Sequence, residues 1–382
     1  MIRTFHPIGQ GAFYTEEFGA FSVVYDCGTD SKKSFLKAEI ENVFEKGQII
    51  DAVFISHLHE DHVNGLKYLM EFCRVQRLFL PLLTEQEKIH LIISNYVNGD
   101  PDPFTEELIN YSANHNNEKK PERLRNAKVV FVKPLRDNNN DMDVNNDDNS
   151  DTFLLDSSSN QTSSILSGTR LYSSRVPHWV YVPFNLESQE RAIKLDVLLK
   201  NNNITPSDVE TFKSLWADKA TRKKIKELYG RIEGDLNTNS LVLYSGPENG
   251  NRSASYPPYS LLAFFLSRFG LNGINDFPKG GCLYLGDYDA HGQGSWSKLN
   301  SHYSSYWPCI GIVQIPHHGS RHNYNPELNS NRCLFSVISA GYSNRHRHPH
   351  ASVLRDIVVK GGIPIIVNEH SGSRAAFVTE FY

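Results

Sequence analysis

The chain has no excess of basic residues, no long apolar run and no paired cysteine spacing, and each absence removes a class of protein. With 39 Lys and Arg against 43 Asp and Glu, the formal net charge is −4. The protein as a whole is therefore no electrostatic magnet for nucleic acid, and any polyanion contact must be local. No apolar stretch approaches the roughly 20 residues that span a bilayer. Residues 1–7 lack the basic-then-apolar pattern of a secretory signal. A soluble, cytoplasmic protein without membrane attachment is expected. The five cysteines, Cys27, Cys73, Cys282, Cys309 and Cys333, show neither CxxC spacing nor an even count. That argues against a disulfide framework and for reduced, buried thiols. What remains, 382 residues of which 39% are hydrophobic, suffices for one large α/β domain with insertions or for two domains.

The most informative segment is His57-Leu58-His59-Glu60-Asp61-His62, directly after the strand-like run Asp51-Ala-Val-Phe-Ile-Ser56. Alternate residues leaving a strand project to one side, so His57 and His59 can share one ion while Asp61 and His62 turn toward a second. Imidazole nitrogen and carboxylate oxygen suit zinc or manganese, and two such ions can bind and deprotonate a water between them. The apolar helical pattern that follows supplies the scaffold a solvated polar loop would lack.

The run resembles the HxHxDH signature of the metallo-β-lactamase superfamily. Within that superfamily the likeness is nearest to the metallo-β-lactamase module of the DNA-uptake protein ComEC. Ile8-Gly9-Gln10-Gly11 with Asp26-Cys27-Gly28 looks like its opening VGQG and DxG pair, and Asn239-Ser240-Leu241-Val242-Leu243 like its NSLVL strand. Leu285-Gly286-Asp287 is similar to its TGD, Ile315 through Ser320 to its PHHGS turn, and Asn344 through His350 to its closing N-x-x-x-HPH segment. The chain departs from the pattern at Ala12, where the family often has aspartate, and in large insertions between motifs. The membrane channel of ComEC is absent from this sequence. The resemblance implies an αββα metallo-β-lactamase sandwich, an α/β fold, with helical and low-complexity insertions.

Along the chain, a β-rich opening leads to β-α-β over about residues 1–81, with a helix at 63–73 and a strand at 77–80. Helices are expected at 85–97 and 104–112 and a strand at 128–133. Residues 137–164 are dominated by Asn, Asp and Ser and cannot bury enough apolar surface to order themselves, so a disordered insertion is expected there. Its aspartates lack the glycine and terminal glutamate of a calcium loop. A strand at 179–184 precedes a helical insertion, 187–230, in which Thr205 is the expected cap and Pro206 the first helical residue. Val209, Phe212, Leu215 and Trp216 recur there at helical spacing and read as core. A second insertion, 246–280, carries a strongly apolar helix at 261–269 suited to packing on the body or on another chain. Strands at 283–285, 310–315, 334–339, 363–367 and 375–381 and a helix at 351–360 close a single domain over 1–382.

The resemblance implies His57 and His59 on a first metal, Asp61, His62 and His318 on a second, and Asp287 bridging two divalent ions, zinc or manganese. A third histidine on the first metal is hard to place. His178 before Trp179 is the best situated, ahead of His90 and His115. Asp61 doubles as an orienting catalytic carboxylate, His317 holds substrate or a ligand, and His348 is the candidate acid. Ser320, Asn344 and His350 complete a phosphate clamp near a helix N-terminus, with Pro349 in its first turn. Lys219, Arg222, Lys223, Lys224 and Lys226 form either a solvated face or a patch holding a polyanion, with Arg222, Lys223 and Lys224 nearest such a role. The function expected is hydrolysis of a phosphodiester, in nucleic acid or a nucleotide, by a metal-bridging hydroxide. Two alternatives stand beside it: a metallohydrolase of a non-nucleotide ester, lactone or phosphocholine, and a metal-bound scaffold that engages a partner protein through its insertions without turnover.

Overall fold

Two mixed sheets lie face to face, and their outer surfaces are covered by helices. The computed structural model describes residues 1–99, 101–114, 119–135, 152–157, 163–186, 190–232, 240–248, 253–256, 279–330 and 335–381. The first sheet holds β1 (Ile2–Phe5), β2 (Gly11–Glu17), β3 (Ser22–Thr29), β4 (Ile49–Phe54), β5 (Arg74–Pro81), β6 (Lys128–Lys133), β8 (Ser164–Leu166), β12 (Ser253–Tyr256) and β17 (Ala375–Phe381). Its order is β12-β17-β1-β2-β3-β4-β5-β6-β8. The second holds β7 (Thr152–Leu154), β9 (Arg170–Ser173), β10 (Val176–Phe184), β11 (Val242–Pro247), β13 (Gly281–Tyr284), β14 (Ile310–Gln314), β15 (Phe335–Ser339) and β16 (Ile363–Val367), in the order β16-β15-β14-β13-β11-β10-β9-β7.

Three apolar layers hold this arrangement together, as four stacked layers of secondary structure require. Between the sheets pack Phe5, Tyr25, Phe54, Trp179, Tyr284 and Phe335. Outside the first sheet, Val24, Ile50, Val53 and Leu78 meet α1 (Lys33–Val43), α3 (Leu66–Phe72), α4 (Glu85–Asn98) and α5 (Pro103–Ala113). Outside the second, Val180, Leu283 and Val313 meet the helices Gln293–His302 and Ala351–Val359. The expected αββα sandwich is therefore the one observed. The buried runs of β3 and β4 read as continuous apolar stretches because both lie inside the sheet with neighbours on each side.

The expected insertion 187–230 contains α6 (Glu190–Lys200), α7 (Val209–Ala217) and α8 (Lys219–Tyr229), with Phe212, Trp216, Ile225 and Leu228 buried in the same layer as α4 and α5. Its cap differs from expectation. Asp208, not Thr205, accepts the hydrogen bond from the Thr211 N–H, and α7 begins at Val209. A carboxylate three residues nearer the apolar periodicity satisfies the helix N-terminus better than a threonine placed before a proline. In the tract 137–164, Thr152–Leu154 and the start of β8 at Ser164 are strands, so the expected disorder does not hold at these residues. Phe153 and Leu155 supply the buried side chains that the Asn/Asp/Ser count concealed. The apolar helix expected at 261–269, together with Asn239, His115 and Cys333, lies outside the described residues. Cys27, Cys73 and Cys282 are free and buried, and Cys309 is buried. No described helix is long and apolar enough to cross a membrane.

Candidate metal centre

β3 and β4 run parallel, as do β13, β14 and β15, and the chain leaves four of these strands on one edge of the sandwich. Asp26 lies near the end of β3, His57 follows β4, Asp287 follows β13, and His317 and His318 follow β14. Strand ends of this kind converge side chains because the backbone changes direction there while the sheet fixes its origin. Two glycines permit the approach. A Cβ on Gly28 would lie 2.4 Å from the Val63 N and 2.5 Å from the His62 carbonyl carbon, and one on Gly286 would lie 2.6 Å from the Ser56 Cβ. Gly286 also has φ +54°, a left-handed conformation that favours glycine.

The convergence yields three overlapping groups whose ligand atoms lie within 4.8 Å of one another: His57, His59 and Asp61; His57, His62 and Asp287; Asp61, His62 and His318. His62 Nε2 is 3.2 Å from Asp287 Oδ1, His57 Nε2 is 3.6 Å from Asp287 Oδ2, and His318 Nε2 is 3.2 Å from Asp61 Oδ2. All six residues predicted as ligands are therefore brought together.

The far sides of these rings are tied down. His318 Nδ1 donates to the Ser339 carbonyl at 2.8 Å, leaving Nε2 directed at the carboxylates. His62 Nδ1 donates to Asp26 Oδ2 at 2.8 Å. His57 Nδ1 lies 2.9 Å from Ser56 Oγ, and that hydroxyl donates to Asp26 Oδ2 at 2.7 Å. This network assigns the His57 proton to Nδ1. One buried carboxylate thus orients two imidazoles, an arrangement that fixes tautomers for metal ligation. The sequence reading quoted Asp26 only as part of an opening motif and missed this role, along with those of Ser56 and Asn323. Its signal was an aspartate directly after the apolar run Val23-Val24-Tyr25, inside a wholly buried strand.

Charge follows from the packing. Burial lowers the His57 pKa well below its ordinary value, and the neighbouring His62 lowers it further, so His57 is neutral. Burial alone would also lower His62, but Asp287, Asp61 and Asp26 outweigh it and hold its pKa well above the ordinary value. For Asp287, burial is outweighed by His317, His62 and His57, and for Asp61 by His62 and His318; both carboxyls sit below their ordinary range. His57 Nε2, His62 Nε2 and Asp287 Oδ1 are buried without a hydrogen bond. Unsatisfied polar atoms of both signs, facing one another on rings anchored from behind, fit divalent cations bound by nitrogen and carboxylate oxygen.

The cluster opens into a cleft of about 620 Å³. His317 and His348 face it from the second sheet, their ring centroids 5.5 Å apart. His317 Nδ1 donates to Asn323 Oδ1 at 2.9 Å, and Asn323 Nδ2 donates to the Asp287 carbonyl at 2.8 Å. Burial, then His317, His318 and His346, push the His348 pKa down to about 3, so the expected acid is instead a neutral ring. Ser320 also lines the cleft.

Three sequence expectations meet different surroundings here, and the basic run lies outside the cleft. Asn344 is occupied by the loop itself: its Oδ1 accepts from the His348 N–H, and its Nδ2 donates to the carbonyls of Gly341 and His348. His350 caps the helix Ala351–Val359, accepting from the Ser352 N–H, and Pro349 precedes that cap. Arg222, Lys223 and Lys224 are absent from the cleft lining, although Tyr229 of the same helix is part of it. His178 is exposed, at the end of β10 remote from the ligands, and joins no described metal group. His90 instead meets Asp196 at 2.7 Å.

A family model described as anti-Pycsar protein Apyc1 matches residues 15–125, which include β3, β4 and the His57–His62 run but neither Asp287 nor His318. A search of curated proteins finds no match. Among solved structures, human tRNase Z, short form, aligns at 10% identity and a TM-score of 0.37, covering 96% of this chain and 92% of that one. The metallo-β-lactamase fold protein YhfI from Bacillus subtilis aligns at 8% identity and 0.36, covering 96% and 97%. A subclass B3 metallo-β-lactamase isolated from a soil metagenome library aligns at 8% identity and 0.32, covering 82% and 77%. Likeness at these scores does not bear on substrate.

Proposed function

We propose that the chain is a metal-dependent hydrolase acting on phosphodiesters, with a small nucleotide favoured over a long polymer. The observation that carries this is the cleft lining beside the metal centre, which contains no aliphatic side chain: apart from Gly99 and Tyr229, every residue is polar. An acyl ester or lactone would gain nothing from such walls, whereas phosphate, ribose and base edges can each find donors and acceptors. Lys33 and Arg345 add positive charge to the rim, and Tyr229 offers a ring face.

His57, His59 and Asp61 are proposed to hold one divalent ion and Asp61, His62 and His318 the other, with Asp287, whose two oxygens lie near His57 and His62, shared between them. Bound there, the pair would supply an activated water and offset the negative charge of the phosphate. The protein does the rest by position. Asp26, Ser56 and the Ser339 carbonyl hold the imidazoles from behind. Asp61, reaching both groups, orients the attacking water. His317 is held by Asn323 and His348 lies beside it, so both rings can offer an N–H to phosphate oxygens. The preference for a small substrate rests on the cleft, whose own lining can meet phosphate, ribose and base. Arg222 to Lys224 precede Tyr229 by five to seven residues, or about 8–10 Å along a helix, and lie outside that lining, where they would assist only a polymer.

The test is incubation of zinc- or manganese-loaded protein with cyclic nucleotides, bis(p-nitrophenyl) phosphate, single-stranded DNA, RNA and p-nitrophenyl acetate. Turnover of phosphodiesters but not of the acetate is expected, with the cyclic nucleotides cleaved faster than the polymers. Hydrolysis of the acetate alone refutes the proposal, and metal binding with no turnover of any substrate would leave a scaffold.

A further inference from the structure

The parallel strands β4, β5 and β6 have a second set of ends, and a cleft of about 820 Å³ lies against them. It is built from the turn before β4, the first residues of β5 and β6, and Asp156 and Ser157 beyond β7. The metal centre lies past the opposite ends of the same strands, which are six to eight residues long. That separates the two clefts by about 20 Å.

Charge in this cleft runs against that of the whole chain. Lys46, Arg74, Arg77, Arg123 and Lys128 line it, against the two carboxylates of Glu71 and Asp156. Arg123 meets Glu71 at 2.5 Å. Asp156 accepts from the Ser174 N–H and lies near Arg175. Neither acid pairs with Arg77.

Arg77 is the decisive residue. It is 3% exposed, and its guanidinium lies over the Phe153 ring at 5.9 Å. One terminal nitrogen donates to the Ser157 carbonyl, while Nε is buried with no hydrogen-bond partner. Among the described residues no carboxylate lies within ion-pairing distance of it; Asp156 and Asp51 act on it only from further away, and Asp51 is paired with Arg175. A buried cation with no carboxylate in contact is costly, and an anion entering the cleft would offset that cost.

We propose that this cleft is a second, non-catalytic site for a phosphorylated small molecule, with Arg77 at its base and Arg74, Lys46 and Lys128 at its rim. Its volume lies in the range of small-molecule pockets. Met70, Phe72 and Val75 supply apolar wall, and Gln76 and Asn126 supply polar groups for the non-phosphate part. Guanidinium groups recognise phosphate through paired N–H donors, and an unsatisfied Nε supplies one that folding has already desolvated.

The experiment is calorimetric titration of chelator-treated protein with inorganic pyrophosphate, which needs neither metal nor turnover. Wild type is expected to bind with a dissociation constant below about 1 mM. Arg74→Gln with Lys128→Gln alters only exposed side chains and should weaken binding by about tenfold or more. Lys33→Gln with Arg345→Gln, at the rim of the catalytic cleft, should leave it unchanged. Arg77→Met should abolish binding and, by removing an unpaired buried charge, should not lower the melting temperature of the anion-free protein. No binding by wild type overturns the proposal. So does binding that survives Arg74→Gln with Lys128→Gln but is lost with Lys33→Gln and Arg345→Gln, because the anion then sits beside the metal centre.

Discussion

Replacing Asp26 with asparagine tests the ligand network at the point where one atom controls two imidazoles. Asp26 Oδ1 accepts from the Ser56 N–H at 2.6 Å, and Oδ2 accepts from His62 Nδ1 and the Ser56 hydroxyl at 2.8 and 2.7 Å. In Asp26→Asn the amide oxygen can keep the backbone bond, but the amide nitrogen now donates where Oδ2 accepted. His62 must then carry its proton on Nε2, 3.2 Å from Asp287 Oδ1, where a ligand lone pair is needed. The Ser56 hydroxyl, denied its acceptor, turns to His57 Nδ1 and moves that proton to Nε2 as well. Loss of a single orienting partner costs about 10- to 100-fold in metal affinity, or about 1.4–2.7 kcal/mol, and disturbing two imidazoles should reach the upper end. Asparagine also tolerates the φ of 57° at this position, so backbone strain does not confound the result. Chelator competition with zinc, read as stoichiometry and affinity, is the assay. Ser56→Ala, which disturbs His57 alone, should fall between Asp26→Asn and wild type. Wild-type affinity for two ions in Asp26→Asn would refute the network as a determinant of ligation.

Three further outcomes are expected. In the metal-free protein His62 has a folded pKa above its unfolded value of about 6.5. Its stabilising contribution is therefore full below about pH 6.5 and lost as pH rises through the folded value. The depressed carboxyls of Asp61 and Asp287 contribute above their unfolded value of about 3.9 and lose that contribution as pH falls through their folded values. A divalent ion must displace the His62 proton, so metal affinity should rise with pH until the raised folded value is passed, with proton release measurable by titration in two buffers; a flat profile would remove His62 from the ligands. His348→Ala should retain metal while kcat on nucleotide phosphodiesters falls by about 100-fold, with a similar loss for nitrophenyl esters, because a neutral ring donates to a phosphate oxygen and does not protonate the leaving group. Loss of metal from that variant would make His348 a ligand. Replacing Arg222, Lys223, Lys224 and Lys226 with alanine should raise KM for long nucleic acid and flatten its salt dependence while sparing cyclic nucleotides, and equal loss on both would indicate damage to α8.

The cluster of candidate ligands was legible in the sequence because its members are local. His57, His59, Asp61 and His62 leave one strand within six residues, and Asp287 and His318 each follow a short apolar run that reads as a buried parallel strand. The orienting groups were not legible, because Asp26, Ser56 and Ser339 act through strand neighbours that only sheet order supplies. His178 failed for the same reason. β10 is antiparallel to β11, with Phe184 opposite Val242 and Trp179 opposite Pro247. Ser240, just before β11, lies 3.2 Å from His57 Nδ1, so the Phe184 end of β10 is the one near the metals. His178 lies six residues further back, about 20 Å away.

The clamp residues fail differently. The segment 344–350 offers polar side chains that suit a phosphate, yet a loop that bends there must satisfy its own backbone first. Asn344 spends its amide on Gly341 and His348 and His350 spends Nδ1 on Ser352, leaving His348 as the group of the three that lines the cleft. The same competition reduces Ser320, whose hydroxyl oxygen already accepts from the His322 N–H, to its hydroxyl proton and one remaining lone pair for a substrate. Spacing identifies residues able to meet a ligand, but backbone demand decides which side chains are left over to do so. By that reasoning Asn344→Ala should reduce activity by loosening the loop that positions His348, and a second substitution at His348 should add little to it. Additive losses, measured as a double-mutant cycle in kcat/KM, would show that Asn344 touches substrate on its own account.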